Sequence, residues 1–218
     1  MEPVKRPVCA YEWLDHPAAH LAVGWYLVSA FLSLPMLGPA HMLGTGVAWV
    51  AADAISYGIH VFIDSEFYDR NVARPKKSED GAVYAVIDEH HTKPMNYSTL
   101  TDRELVYVTY PAVLVIMLLF LALDTVACVA VSSFYSSAYV SLRFWLPAQG
   151  LLTNHAHKWA HERAHGLPIP WTVARLQDAR LLLGPAAHQP HHKTLKSHYS
   201  LYNGVTQLLL DGNWGARR

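Results

Sequence analysis

Cysteine is scarce in this chain: Cys9 and Cys128 are the two in 218 residues. Residues so far apart offer no disulfide framework. Without a C-x-x-C pair, the zinc-deaminase signature is also absent. Charge is nearly as scarce, at 16% of residues with a formal net charge of zero, so no basic field points to nucleic acid. There is no glycine-rich phosphate loop. The first twenty residues lack the compact apolar core and small-residue cleavage site of a signal peptide. They are also too acidic, and too poor in serine and arginine, for an organelle transit peptide. No lipidation motif is evident.

What the chain does have is apolar length. Hydrophobic residues make up 52% of it. Stretches 21–37, 105–123 and 127–142 contain no charged residue, and 42–63 contains only Asp53. A bilayer-spanning helix needs about 20 apolar residues, and these stretches mostly lack the polar face of a soluble amphipathic helix. The expected architecture is an all-α integral membrane protein forming a single domain over 1–218. It has four transmembrane helices, near 20–37, 42–63, 105–123 and 126–149, and a histidine-rich metal-binding cap. The first helix, shortest and interrupted by Pro35, serves as an uncleaved insertion signal.

Lysine and arginine mark the cytoplasmic side of short loops. They fill 1–19, 64–104 and 150–218, and are missing from the connections near 38–41 and 124–126. Both termini and the middle segment are therefore expected in the cytoplasm. On that topology the histidine groups share one membrane face. His60 ends the second span, His90 and His91 lie in the middle segment, His157 and His161 follow the fourth span, and His188, His191 and His192 lie in the tail.

Their spacings suit helices. His60 and Asp64 are i,i+4, as are His157 and His161, while His188, His191 and His192 are i, i+3 and i+4. Each set puts its ligands on one face, a turn apart. Pro190 within the last set is expected to fall in a helix's first turn. Helix bundles build metal sites from such inward-facing histidines and carboxylates. The set exceeds what one tetrahedral zinc needs, so two metal ions are the simplest reading, two irons if dioxygen is involved. Asp53, inside a span, is a candidate partner that orients an imidazole. His155 extends the ladder. His16, His20 and His41 read as interfacial surface residues and His198 as isolated; Trp25, Trp49 and Trp145 read as interfacial anchors.

A zinc protease wants H-E-x-x-H. "HKWAH" has the spacing but carries Lys158 at the base position, and "DEHH" at 88–91 lacks a second histidine four residues on. The residues do resemble another group. "TNHAHKWAH", "GLPIPWTVARLQD", "HQPHH" and "YSLYNG", with "DAISYGIHVFID" and "DEHHTKP" before them, are similar to the membrane lipid desaturase family. That family includes the plasmanylethanolamine desaturases (Kua proteins) and the plastid phosphatidylglycerol trans-desaturase. The resemblance runs from about Asp53 to Asp211 with the motifs in order.

The resemblance implies an O₂-dependent, membrane-embedded non-haem di-iron desaturase, with electrons supplied by reduced cytochrome b5 in an endoplasmic reticulum setting. For the plasmanylethanolamine branch the substrate is an ether phospholipid and the product the vinyl ether of a plasmalogen. Carried over by matching positions, the ligands are His60, Asp64, His90, His91, His157, His161, His188, His191 and His192, and Glu104 matches a family acidic position. Tyr57, Asp88, His155 and Leu100 depart from the family pattern, Leu100 standing where plasmanylethanolamine desaturases have a histidine. Lys158 favours that branch. A phosphatidylglycerol or fatty-acyl desaturase and a di-iron lipid hydroxylase share the ligand pattern. A membrane metal-binding or transport protein is the non-enzymatic alternative.

Overall fold

The structure, a computed structural model, describes residues 38–64, 90–130 and 137–212, together with Gly24, Tyr26, Val28 and Phe31. These residues are all-helical, without strands. In chain order the helices are α1 (Pro39–Ile63), α2 (Pro94–Ser98), α3 (Asp102–Ala130), α4 (Ser137–Ala164), α5 (Trp171–Asp178), α6 (Pro185–Thr194) and α7 (Val205–Asp211). Two stretches, Pro39–Ile63 and Asp102–Val126, are long and apolar enough to cross a membrane.

Helix α4 is the central post. α1 and α3 each pack along it and make no comparable contact with each other. The packing of α1 follows from its composition. Gly44, Ala48, Ala52, Ser56 and His60 recur every four residues, and all are buried. Small side chains at this spacing let two helix backbones approach closely. At Gly44 a Cβ would overlap the carbonyl oxygen of Ala138 and lie 2.8 Å from the Ser141 Cβ. On the other faces Met42, Leu43 and Val47 stay exposed, as suits residues that face lipid.

Helix α3 begins at a capping box. The Glu104 carboxylate accepts from the Thr101 N–H at 2.7 Å, and the Thr101 hydroxyl accepts from the Glu104 N–H at 3.3 Å. This satisfies donors that a helix start leaves open. The break expected at 124–126 is absent, for α3 runs through to Ala130. Asp124 is tolerated on the helix because Arg143 of α4 pairs with it and the Tyr139 hydroxyl donates to it at 2.6 Å. The next described helix, Ser137–Ala164, continues past 149. The expected span 20–37 lies outside the described residues except at its four described positions, each helical.

Three further expectations are corrected. Pro190 sits in the middle of α6, while Pro185 occupies its first turn. His41 is buried, its Nδ1 2.7 Å from the Ser141 hydroxyl. Trp49 and Trp145 pack into the core with Ala48, Ala52 and Phe120, and the Trp49 Nε1–H donates to the Leu181 carbonyl at 3.1 Å. His16, His20 and Trp25 lie outside the described residues.

The α1–α4 contact can be tested directly. Gly44→Leu forces the helices apart and is expected to cost roughly 1–3 kcal/mol. Gly46→Leu, which meets nothing within 4 Å, is expected to leave stability near that of the parent. Unfolding in detergent measures both.

Candidate metal centre

Four chain segments bring their ligand atoms to one place. His60 lies in the last turn of α1, and Asp64 caps the helix, its N–H bonded to the His60 carbonyl at 2.9 Å. His90 and His91 lie in the helical stretch 90–92 that runs into Pro94. His157 and His161 face inward from α4, and His188, His191 and His192 from α6. These nine residues form two groups. His90, His157, His161, His188 and His192 make one; His60, Asp64, His91 and His191 make the other. Within each group the ligand atoms lie within 4.8 Å of one another.

Helical geometry permits the division, and the packing of the helices decides it. Successive residues on a helix point about 100° apart, whereas i and i+4 share a face. His188 and His192 therefore point into the first group and His191 into the second. His90 and His91 divide likewise, with ring centroids 4.2 Å apart. Each histidine dipeptide straddles the two groups and holds them side by side.

The first group cannot satisfy itself with hydrogen bonds. The Nε2 atoms of His157, His161 and His188 form a triangle with sides of 2.8, 2.9 and 3.2 Å. An imidazole nitrogen is either an N–H donor or a lone-pair acceptor. Among three such atoms at least two are alike, so at least one side of the triangle is repulsive. A cation that accepts all the lone pairs removes the conflict.

The second group has the same problem in another form. The Nδ1–H of His60 donates to the Tyr199 carbonyl at 2.9 Å, and that of His191 to the Ser197 carbonyl at 3.0 Å. Carbonyls only accept, so these bonds leave the Nε2 lone pairs of the neutral rings facing inward. Both Nε2 atoms lie 3.2 Å from Asp64 Oδ2, and that of His91 lies 3.5 Å away. His60 Nε2 and Asp64 Oδ2 are buried with no hydrogen-bond partner among the described residues. Lone pairs and a carboxylate oxygen converging without protons are the donor set of a cation. Imidazole and carboxylate suit iron, and neither group contains a thiolate.

A sequence model for the lipid desaturase domain matches residues 50–214. The chain belongs to the lipid desaturase family. Comparison with curated proteins and with solved structures finds no match. Family membership makes this protein an oxidoreductase of the desaturase class with a lipid substrate. Its two apolar helices fit a membrane protein.

The outer residues of this lipid desaturase play different parts from those expected. Asp53 is fully buried but touches no imidazole. Its carboxylate accepts from the Ser200 hydroxyl and from the backbone N–H groups of Asn203, Gly204 and Thr206, at 2.8–3.1 Å. It pins the tail to α1, and that same tail supplies the Tyr199 carbonyl to His60. Asp53 thus orients the ligand through about a turn of backbone. Gly204, at φ 85°, gives the turn a left-handed residue without a Cβ penalty. Glu104 is the capping residue of α3 and belongs to neither group. His155 lies outside both groups, 3.6 Å from exposed Asp102 and against Trp159. Leu100 packs with Tyr97 and Leu105 in an apolar cluster, and the Lys158 ammonium donates to its carbonyl at 2.7 Å. Neither group includes position 100.

Tyr97 went unforeseen. It is buried, its ring 4.4 Å from that of His157 and 5.5 Å from that of His90. A single tyrosine in a polar loop carries no signal in the sequence. With His60, His90 and His157 it closes one end of an apolar cavity of about 120 Å³. The cavity continues between the three long helices past Ile55, Val108 and Ala112 to Ala52, Ile116 and Leu146.

Acidification should loosen the metal-free fold. Burial, reinforced by neighbouring imidazoles, pushes His161 down to about 3 and His192 down to about 4. In the unfolded chain an imidazole titrates near 6.5. Between about pH 6.5 and 4 the unfolded state takes up protons that the fold refuses, so stability falls as pH falls through that window. Melting temperatures of metal-free protein in detergent should drop from pH 7.5 to 5, and His192→Ala should flatten the slope. Asp53→Asn puts an amide N–H against backbone donors. It is expected to weaken one of two metal equivalents by about 10- to 100-fold, read by cobalt(II) titration, with the other equivalent retained.

Proposed function

We propose that this lipid desaturase holds two irons, one in each ligand group, and removes two hydrogens from a lipid chain beside its headgroup. The observation that carries the proposal is the apolar cavity ending on imidazoles from both groups. Its wall on α1 runs from Ala52 to Ile63, about 16 Å at 1.5 Å per residue. That is about half of a ~30 Å hydrocarbon core, the depth of one leaflet. A chain lying in it keeps its headgroup at the membrane surface, so the carbons level with the ligand groups are those nearest the glycerol.

The preferred substrate is a plasmanyl ether phospholipid, and the product its vinyl ether. The head-proximal register and Lys158 in the "HKWAH" motif support this reading. The nine proposed ligands are His60, Asp64, His90, His91, His157, His161, His188, His191 and His192. Dioxygen becomes two waters, taking two hydrogens from the chain, two electrons from two turnovers of a cytochrome b5-type one-electron donor and two protons from solvent. Bound iron would supply the electron path to dioxygen. The protein's own groups do the rest. Helices α1, α3 and α4 wall off water and align the chain, Tyr97 backs His157, and the Asp53-pinned tail fixes the ring of His60. The topology that accompanies this reading has four spans with both termini cytoplasmic, in the endoplasmic reticulum.

Purified protein is expected to bind about two irons, the number of ligand groups. Expression in cells lacking plasmalogens is expected to produce vinyl-ether lipid. His192→Ala should lower that product at least a hundredfold while the protein still inserts in the membrane. Iron-loaded protein that yields a new acyl double bond in phosphatidylglycerol, or a product heavier by one oxygen, would overturn the ether-lipid assignment.

A further inference from the structure

The tail that carries the "YSLYNG" motif reads from sequence as cytoplasmic, yet its contacts lie deep along α1. Asp53 binds residues 200–206, the Tyr57 hydroxyl donates to Asp211 at 3.2 Å, and the Asn203 amide donates to the Trp49 carbonyl at 2.8 Å. All three partners sit in the interior of α1. At 1.5 Å per residue the 25 residues of α1 measure about 37 Å, against a ~30 Å hydrocarbon core. Even if the whole excess of about 7 Å protrudes on the histidine side, the core boundary falls near Gly58. Asp53 then lies about 7 Å inside it and Trp49 about 13 Å inside. Any tilt of the helix draws both further in.

Two independent features match that depth. First, protein groups take up the backbone N–H groups of 203–206, the satisfaction that lipid demands of non-helical backbone. The N–H groups of Asn203, Gly204 and Thr206 reach Asp53, that of Val205 reaches the Asn203 side chain, and the Tyr202 carbonyl accepts from Leu183. Second, the outward side of α7 is apolar: Leu208, Leu209 and Leu210 are 43%, 72% and 67% exposed. Three leucines turned outward at an aqueous surface would be a hydrophobic liability; against acyl chains they are in their proper solvent.

We propose that residues 200–211 form a re-entrant segment embedded in the cytoplasmic leaflet, with the three leucines of α7 in contact with lipid chains. Asp53 is then a buried carboxylate kept within a span because it satisfies the backbone of that segment. The inference rests on α1 crossing the bilayer, and on no reading of the reaction.

Single cysteines in the full chain bearing Cys9→Ser and Cys128→Ser test it in phosphatidylcholine vesicles. A charged, membrane-impermeant maleimide is presented to both faces. Lys196→Cys should label readily, and Val47→Cys on α1 and Leu209→Cys at least tenfold more slowly. Labelling of Leu209→Cys at the rate of Lys196→Cys, with Val47→Cys protected, overturns the proposal. Labelling of Val47→Cys overturns the span on which it rests. A nitroxide at position 209 adds a second measure, since lipid contact gives frequent collisions with oxygen and few with a nickel chelate. Few collisions with either would mean that protein covers α7, and would also overturn the proposal.

Discussion

An imidazole nitrogen carries a proton or offers a lone pair, never both, and this limits what a crowd of histidines can do unaided. The Nε2 triangle of His157, His161 and His188 cannot be completed with hydrogen bonds, whatever the tautomers. Around Asp64 the bonds to the Tyr199 and Ser197 carbonyls turn two further lone pairs toward a carboxylate oxygen. Both arrangements set like against like unless positive charge sits among them. α1, α4, α6 and the stretch 90–92 hold the conflict in place by bringing nine potential ligand atoms together.

The membrane helices provide the rigidity. A four-residue stripe of small side chains brings α1 against α4, which fixes His60 relative to His157. α3 meets α4 separately, and the space left between the three helices is the cavity. The close contact and the gap are complementary. Residues without bulk draw α1 and α4 together, and the aliphatic lining keeps the neighbouring space dry where it meets the imidazoles. Asp53 links this framework to the tail, so one buried carboxylate serves both the depth of residues 200–211 and the orientation of a ligand ring.

Much of the site was legible because its ligands come in helical spacings. His60 with Asp64, His157 with His161, and His188 with His192 are each a turn apart, and every residue of the expected ligand set lies in one of the two groups. What misled were residues whose role depends on a distant partner. His41 looked like a surface residue until Ser141, a hundred positions away, was brought against it. A connection was expected near 124–126, but Arg143 and Tyr139 neutralise Asp124 within a continuous helix. Glu104 matched an acidic position by motif, yet its local geometry makes it a helix cap. Leu100, which departs from the family pattern, proves to lie in an apolar cluster behind Tyr97.

By itself the sequence determined the helical class, the apolar lengths of the two candidate spans and which histidines cluster with Asp64. All three are written in composition and in periods of three or four residues, which the backbone imposes locally. Only the tertiary structure decided how the ligands divide into five and four. That division depends on the angle at which each helix meets the others, which no local spacing encodes. It also decided that Asp53 answers to residues 147–153 positions further on, because burying a carboxylate in a span requires donors that its own helix has already committed to itself.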